Sequence, residues 1–319
     1  MRQSKRWVVG VVMLAAVGAA VPDMATASTE LPQTQITDTP GLNEFTPAAT
    51  DTWFTWGRNS TARPGISTTL AGQFGGSSFK INAPGTVSGS SGIDGTTVVY
   101  TQWKPGGHLN LHVFDVLTRV RTALPAIVDT PLSDEYGPSI SGDWIEFGRR
   151  SRHYYREFIY NTSTQELRKL DEAVRGSGWI ESGQVNGDYV SWMRCGRITC
   201  KVRLYSISAA TTSVLSVPSG RYQFGAAVTA DGTLYYGEAN LGACGRSVRL
   251  IKLPLGGSPT TLESFNRGID FESTFAYANT GGTDLYFAKL RCAPNTLDIF
   301  RVTSPRAGST HRRRSPISR

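Results

Sequence analysis

Two cysteines five positions apart, in "SWMRCGRITCKVRLYSI" (residues 191–207), are the residues of this 319-residue chain whose type and spacing speak most directly of chemistry. Such a pair is a metal knuckle, a redox couple or a staple. Zinc favours CxxC-type pairs with histidine nearby; here the spacing is C-x4-C and no His lies between residues 154 and 310. The CxxC redox motif is absent. Cys244 and Cys292 bring the count to four, and an even count in an exported chain favours disulfides. Of the three possible connectivities, Cys195–Cys200 with Cys244–Cys292 is favoured. The first pair flanks the four-residue loop "GRIT", where facing positions suit disulfide geometry. The chain-entropy account gives the short loop roughly 2 kcal/mol and the long one roughly 4. No metal and no cofactor is expected.

A second cluster is cationic and aromatic. Arg149, Arg150, Arg152, His153, Tyr154 and Tyr155 crowd into seven positions, and Arg58, Arg194, Arg197, Lys289 and Arg291 add further cations. Arg and Lys gathered on one face grip an anionic polymer or an acidic protein surface. Tyr, His and Arg together are also the tools of polyanion lyases. A lactonase-like metal centre would draw on acids such as Glu146, Glu181, Asp188 and Glu238. The nucleophile motif GxSxG and sialidase-type Asp boxes are absent. No catalytic residue is assigned, because local density of reactive types is not a constellation. Binding is the expectation; a carbohydrate-active lyase or lactonase using the same loops or a central channel is the alternative.

The compartment follows from the first 27 residues. Arg2, Lys5 and Arg6 precede an apolar run from Trp7 to Val21, and Ala25-Thr26-Ala27 offers a small-x-small cleavage site. That is a secretory leader; the apolar run is short for a span of about 20 residues. A secreted chain with no membrane span after cleavage is expected. The net charge of +8 is uneven. Setting aside the leader (three basic residues, one acid) and the tail 304–319 (five arginines, no acid) leaves the body at about +1. Basicity therefore describes a disordered tail and local clusters, and nucleic acid is not an expected partner.

The elements that must position these residues repeat. Short β-rich runs preceded by Gly/Asp turns recur, anchored by Trp56, Tyr100, Phe147, Trp192, Tyr236 and Phe287 at steps of 44, 47, 45, 44 and 51. A second column, Phe114, Tyr160, Tyr205, Ile251 and Phe300, follows at steps of 46, 45, 46 and 49. Two columns of one period, each unit reading as four strands joined by tight turns, predict an all-β, six-bladed β-propeller of four-stranded antiparallel blades. The sixth unit shows three clear strands, so an N-terminal strand near "QTQITDT" is expected to close it. Successive strands a to d alternate in direction, so every b–c loop leaves on one face. There the residues two past each anchor collect: Arg58, Gln102, Arg149, Arg194, Glu238 and Lys289.

The runs "GGSSFKINAPGT", "SGIDGTTVVY", "ISGDWIEFGR", "QVNGDYVSWMRC" and "GRSVRLIKLPLGG" resemble TolB-type six-bladed propellers, and within them secreted actinobacterial members of no assigned activity. The resemblance covers roughly residues 45–303 and implies a fold, an exported location and a binding platform, with no catalytic residues. The organisation expected is a signal peptide (1–27), an N-terminal segment with the closing strand (28–44), the propeller (45–303) and the basic tail (304–319). The expected protein is a monomer that binds a protein or anionic polysaccharide of the cell envelope.

Overall fold

A computed structural model describes residues 33–104, 107–240, 248–265, 269–271, 277–278, 284–291 and 296–303, and all regular structure among them is β. The leader, the tail, Cys244 and Cys292 lie outside these residues. No helix of the described residues is long and apolar enough to cross a membrane.

Strand β1 (Gln33–Gln35) precedes blade 1, made of β2 (Leu42–Ala49), β3 (Trp53–Ser60), β4 (Arg63–Gln73) and β5 (Ser78–Lys80). Blade 2 is β6 (Val87–Asp94), β7 (Thr97–Trp103), β8 (Asn110–Asp115) and β9 (Arg121–Ala123). Blade 3 is β10 (Asp134–Ser141), β11 (Trp144–Arg150), β12 (Tyr154–Asn161) and β13 (Leu167–Val174). Blade 4 is β14 (Trp179–Asn186), β15 (Tyr189–Cys195), β16 (Cys200–Ser206) and β17 (Thr211–Val214). Blade 5 is β18 (Arg221–Val228), β19 (Leu234–Asn240), β20 (Val248–Leu253) and β21 (Thr260–Phe265). In blade 6, β22 (Ile269–Phe271) and β23 (Tyr277–Ala278) both pair with β24 (Asp284–Arg291), which pairs with β25 (Thr296–Thr303). Each sheet is an antiparallel meander, and the chain forms a six-bladed β-propeller. Consecutive first strands pack on one another, and β2 returns against β24 and β25.

The ring is closed by the N-terminal strand. β1 pairs antiparallel with β25, Gln33 opposite Val302 and Gln35 opposite Phe300. The tie continues past the strand: Ile36 N donates to Ile299 O at 2.8 Å, Ile299 N to Thr37 Oγ1 at 3.0 Å and Leu297 N to Asn43 Oδ1 at 3.3 Å. These bonds satisfy an edge that an open array exposes.

The anchor aromatics are the core. Trp56, Tyr100, Phe147, Trp192, Tyr236 and Phe287 are all buried on their b-strands. Each of the middle four packs against the blade before it. Tyr100 meets Ala71 and Ile81, Phe147 meets Val99 and Leu111, Trp192 meets Ile159, and Tyr236 meets Val202 and Leu204. Burial of such side chains stabilises by about 1.5–3 kcal/mol each. The blade-to-blade seams, rather than one central core, therefore hold the ring together.

Two local features set the strand register. Gly95, Gly142, Gly187 and Gly232 sit at positive φ in the a–b turns, where the Asp/Asn/Ser-Gly dipeptides place them. The a–b pairs of the first five blades also each carry a bulge, as at Tyr136/Ser139 and Ser182/Gln184. The second aromatic column needs a correction. Phe114, Tyr160 and Tyr205 face Val98, Ile145 and Val190, two residues before their anchors. Ile251 and Phe300 instead face the anchors Tyr236 and Phe287 directly, so the true equivalents are Leu253 and Val302. A slip of two keeps the same face of the strand, which is why alternation could not reveal it.

Candidate functional site

The position two past each anchor has a structural use that recurs around the ring. In blade 1, Arg58 lies opposite Glu44 and donates through Nη2 to Glu44 Oε1 at 2.6 Å; Thr39 Oγ1 donates to the same oxygen at 3.4 Å. In blade 3, Arg149 lies opposite Glu135, with Nε to Oε1 at 2.9 Å and Nη2 to the carbonyls of Ile127 (2.9 Å) and Val128 (2.8 Å). Gln102 of blade 2 accepts from Ala83 N at 2.7 Å. Arg194 of blade 4 donates to Asp171 Oδ1 at 2.9 Å and to Glu172 O. In blade 5 the a-strand partner of Glu238, Gln223, donates to Ser216 O at 3.0 Å. The tethered residues Thr39, Ala83, Ile127, Glu172 and Ser216 are spaced 44, 44, 45 and 44 apart. All belong to the last strand of the preceding blade or the connector beyond it, or, for Thr39, to the segment entering blade 1. In blades 1 to 4 the column residue, and in blade 5 its a-strand partner, ties the incoming segment to its blade, in blades 2 to 5 through a backbone group of that segment.

Arg58, Arg149 and Arg194 thus turn their guanidinium groups inward. Glu44 and Glu135 are fully buried beneath theirs. Burial pushes the Glu135 carboxyl up to about 6, against the lowering effect of its bonds to Thr130 and Arg149.

The outward-facing remainder gathers on blades 3 and 4. Arg150 pairs with Asp134 at 2.8 Å, and His108 approaches the same carboxylate at 3.2 Å. Arg152, His153 and Arg197 are exposed, and Arg152 and Arg197 form no ion pair among the described residues. Tyr154 is half-buried under the Arg156 guanidinium, 4.6 Å from its ring centroid, whereas Tyr155 packs into the seam with blade 4. Lys289 and Arg291 lie at the end of β24, their side chains outside the described residues.

Three large apolar side chains accompany these cations: Val174, Trp179 and Ile198, exposed by 54%, 39% and 75%. Register makes them one surface. Val174 lies opposite Tyr154, Arg175 N donates to His153 O at 2.9 Å, and Trp179 lies opposite Cys195. Cys195 and Cys200 face each other at the end of the β15–β16 ladder and form the predicted disulfide. The buried staple holds up the exposed loop that carries Arg197 and Ile198. Nearby carboxylates are already engaged: Asp134 by Arg150, Asp171 by Arg194 and Arg203, and Glu172 by Arg156 and Lys169. The surface is therefore apolar and net positive.

The four acids considered for a metal do not converge. Asp188 caps a turn, accepting from Ser206 Oγ (2.7 Å) and Ser208 N (2.8 Å). Glu238 takes ion pairs from Arg221 (3.3 Å) and Arg249 in the blade 4–5 seam. Glu181 is on β14, and Glu146 is fully buried in the blade 3–4 seam beside Glu157. Glu157 was not singled out from sequence. Only its inward alternation with Ile159 on "REFIYNT" could have marked it as buried.

Among the described residues, cavities lie beside two of the column positions that are not arginine. In blade 5, at Glu238, a cavity of about 600 Å3 runs between Val217, Pro218, Ile251 and Leu253. In blade 2, at Gln102, one of about 380 Å3 lies among polar and aromatic side chains under the b–c loop. Neither was legible from local composition.

No family model and no curated protein matches the sequence. Solved structures do match its fold. A protein reported as a TolB from Agrobacterium tumefaciens is similar over 86% of this chain and 97% of its own, at 11% identity and a TM-score of 0.55. An oligogalacturonate lyase in complex with manganese is similar over 88% of this chain and 95% of its own, at 12% identity and a TM-score of 0.53. The β-propeller domain of the trilobed protease of Pyrococcus furiosus, reported with an open velcro topology, is similar over 84% and 95%, at 9% identity and a TM-score of 0.51. At these identities the likeness is one of fold, and the chain shares the six-bladed, TolB-like propeller arrangement.

Proposed function

We propose that this chain is an exported β-propeller that docks an acidic protein of the cell envelope through the b–c face of blades 3 and 4. The observation that carries the reading is the presence of Arg152, His153, Tyr154, Trp179, Arg197 and Ile198 at the same end of the neighbouring blades 3 and 4, where nearby carboxylates are already ion-paired. Exposed Trp and Arg with a half-buried Tyr around apolar contacts are the composition of protein-binding hot spots, and uncompensated cations select a partner of opposite sign. Export is supported by the leader, by the resemblance to secreted TolB-type members and by the disulfide, a bond of oxidising compartments. The disulfide also pre-organises the loop, which lowers the entropic cost of binding.

The test is to capture envelope proteins on the immobilised chain, purify the partner and measure its affinity for wild type and for Arg152→Glu/Arg197→Glu. The reading requires an acidic partner, an affinity that falls as salt rises, and a loss of at least about tenfold in the variant. Unchanged affinity would overturn it. Polygalacturonate and heparin are assayed in parallel: retention of these polymers in place of a protein assigns the face to anionic polysaccharide, and release of unsaturated uronide product assigns it to a lyase.

A further inference from the structure

We infer that the cavity in the seam between blades 4 and 5 is a binding site for an apolar monocarboxylate, an acyl chain with one carboxylate head. The cavity exists because blade 4 ends short. In blade 3 the last strand runs for eight residues, and its Leu170 packs on the cluster that holds Trp192 and Tyr205 of blade 4. In blade 4 the last strand, β17, has four residues, all exposed, so the face of blade 5 that looks toward it is left partly bare. About 600 Å3 stays open there, within the range of small-molecule sites. Apolar side chains form most of its walls, Val214, Leu215 and Val217 on one side and Ile251, Leu253 and Pro259 on the other. Val214, Ser216, Gly257, Pro259 and Thr261 are exposed, which puts the mouth at the rim of the ring. Ala239 and Val248, the rung next to the blade 5 b–c loop, alternate to the opposite face and pack with Leu285 and Phe287 of blade 6.

Three side chains build the polar end. Tyr236 is 4% exposed and lines the cavity, and its hydroxyl has no hydrogen-bond partner among the described residues. Burial pushes the phenol up to about 12, so at pH 7 it is protonated and can donate. Arg249 donates through Nη2 to Glu238 Oε1, and its Nε is buried without a partner. Arg221 reaches the same carboxylate oxygen at 3.3 Å. Two guanidinium groups thus meet one carboxylate, and the inner end keeps one positive charge in excess. Other charged side chains of these strands turn away: Lys252 lies over the Tyr235 ring, and Glu263 faces Leu250 on the side toward blade 6. A carboxylate head accepts from the Tyr236 hydroxyl and takes up the excess charge, while its chain lies along the apolar walls. An alcohol head leaves that charge unmatched, and an amine head is repelled by it.

The site is separate from the docking surface on blades 3 and 4 and does not depend on that reading. The experiment titrates the folded chain with decanoate by calorimetry, with 1-decanol, decylamine and acetate as comparators. One decanoate per chain with a Kd on the order of 100 µM is expected, each comparator being at least about tenfold weaker. Tyr236→Phe, which removes only an unpartnered hydroxyl, should weaken decanoate several-fold. Arg249→Met should bring decanoate down to the affinity of decanol, with Glu238 still paired to Arg221. Thr261→Trp, at an exposed position of the mouth, should block decanoate and decanol alike without touching the polar end. Arg152→Glu/Arg197→Glu should bind decanoate as wild type does. Decanoate binding no tighter than decanol or decylamine, or unaltered in Arg249→Met and Thr261→Trp, would overturn the inference.

Discussion

Glu146 and Glu157 lie side by side on adjacent strands of blade 3, both fully buried in the seam with blade 4. Glu146 accepts from Gly183 N at 2.8 Å and Ser139 Oγ at 3.0 Å, and Glu157 accepts from Ser182 Oγ at 3.1 Å. Neither carboxyl forms an ion pair with a cation among the described residues, and the groups around Glu157 include Asp171 and Tyr136. Desolvation raises both carboxyls; Glu146 raises Glu157 further, whereas the hydrogen bond from Glu157 lowers Glu146, so the pair retains a proton, held on Glu157, where ordinary carboxylates are charged.

The pH dependence of stability follows. Groups whose folded value is raised above the ordinary 4.5 contribute stability that is whole at lower pH and is lost as pH rises through the raised value. Glu135, pushed up to about 6, acts in the same direction. The melting temperature should therefore fall by several degrees between about pH 5 and pH 8. Glu146→Gln or Glu157→Gln, which keeps the shape without the titration, should flatten that slope. A slope identical in wild type and both variants would contradict the shared proton.

The Arg149–Glu135 tether is a separate load. Arg149→Met leaves a fully buried carboxyl without its cation and frees two connector carbonyls. Breaking such a pair from one side costs about 3 kcal/mol, at the low end for buried pairs because the arginine keeps slight exposure. The cost should shrink in acid, where Glu135 takes up a proton. Chemical denaturation at two pH values measures it.

Closure by β1 can be tested by deletion. Removing residues 28–42 uncovers the β25 edge and should lower the melting temperature by roughly 10 °C and promote association. Calorimetry and light scattering read both effects, and an unchanged melting temperature would argue against the latch.

The staple in the blade 4 hairpin should matter more to its loop than to the ring. Cys195→Ser/Cys200→Ser should cost no more than about 2 kcal/mol, since the closed loop is short and β15 and β16 pair along their whole length without it. Partner affinity should fall further than stability, because Arg197 and Ile198 lose their pre-set positions. Denaturation alongside a binding titration separates the two effects.

The fold was legible because its signal is periodic. Six anchor aromatics at steps of 44 to 51 residues, with Gly/Asp-containing turns before them, define the blades, and each anchor is buried as the repeat requires. The Cys195–Cys200 pair was legible because a hairpin loop of four residues brings its ends together. The roles of Arg58, Arg149 and Arg194 were hidden, since Glu44 and Glu135 become their neighbours only through strand register and Asp171 only through the packing of blade 3 on blade 4. The Glu146–Glu157 pair was hidden for the same reason: it joins two strands whose facing positions depend on hairpin geometry. Trp179 looked like one more strand residue until the register set it beside the disulfide.

Hydrogen–deuterium exchange of the chain, free and with its purified envelope partner, tests the docking surface most directly. Protection confined to residues 152–155, 174–179 and 196–199, and lost in Arg152→Glu/Arg197→Glu, is the predicted result. Protection on the opposite face or along the first strands of the blades, with the 196–199 loop exchanging as in the free protein, would contradict it.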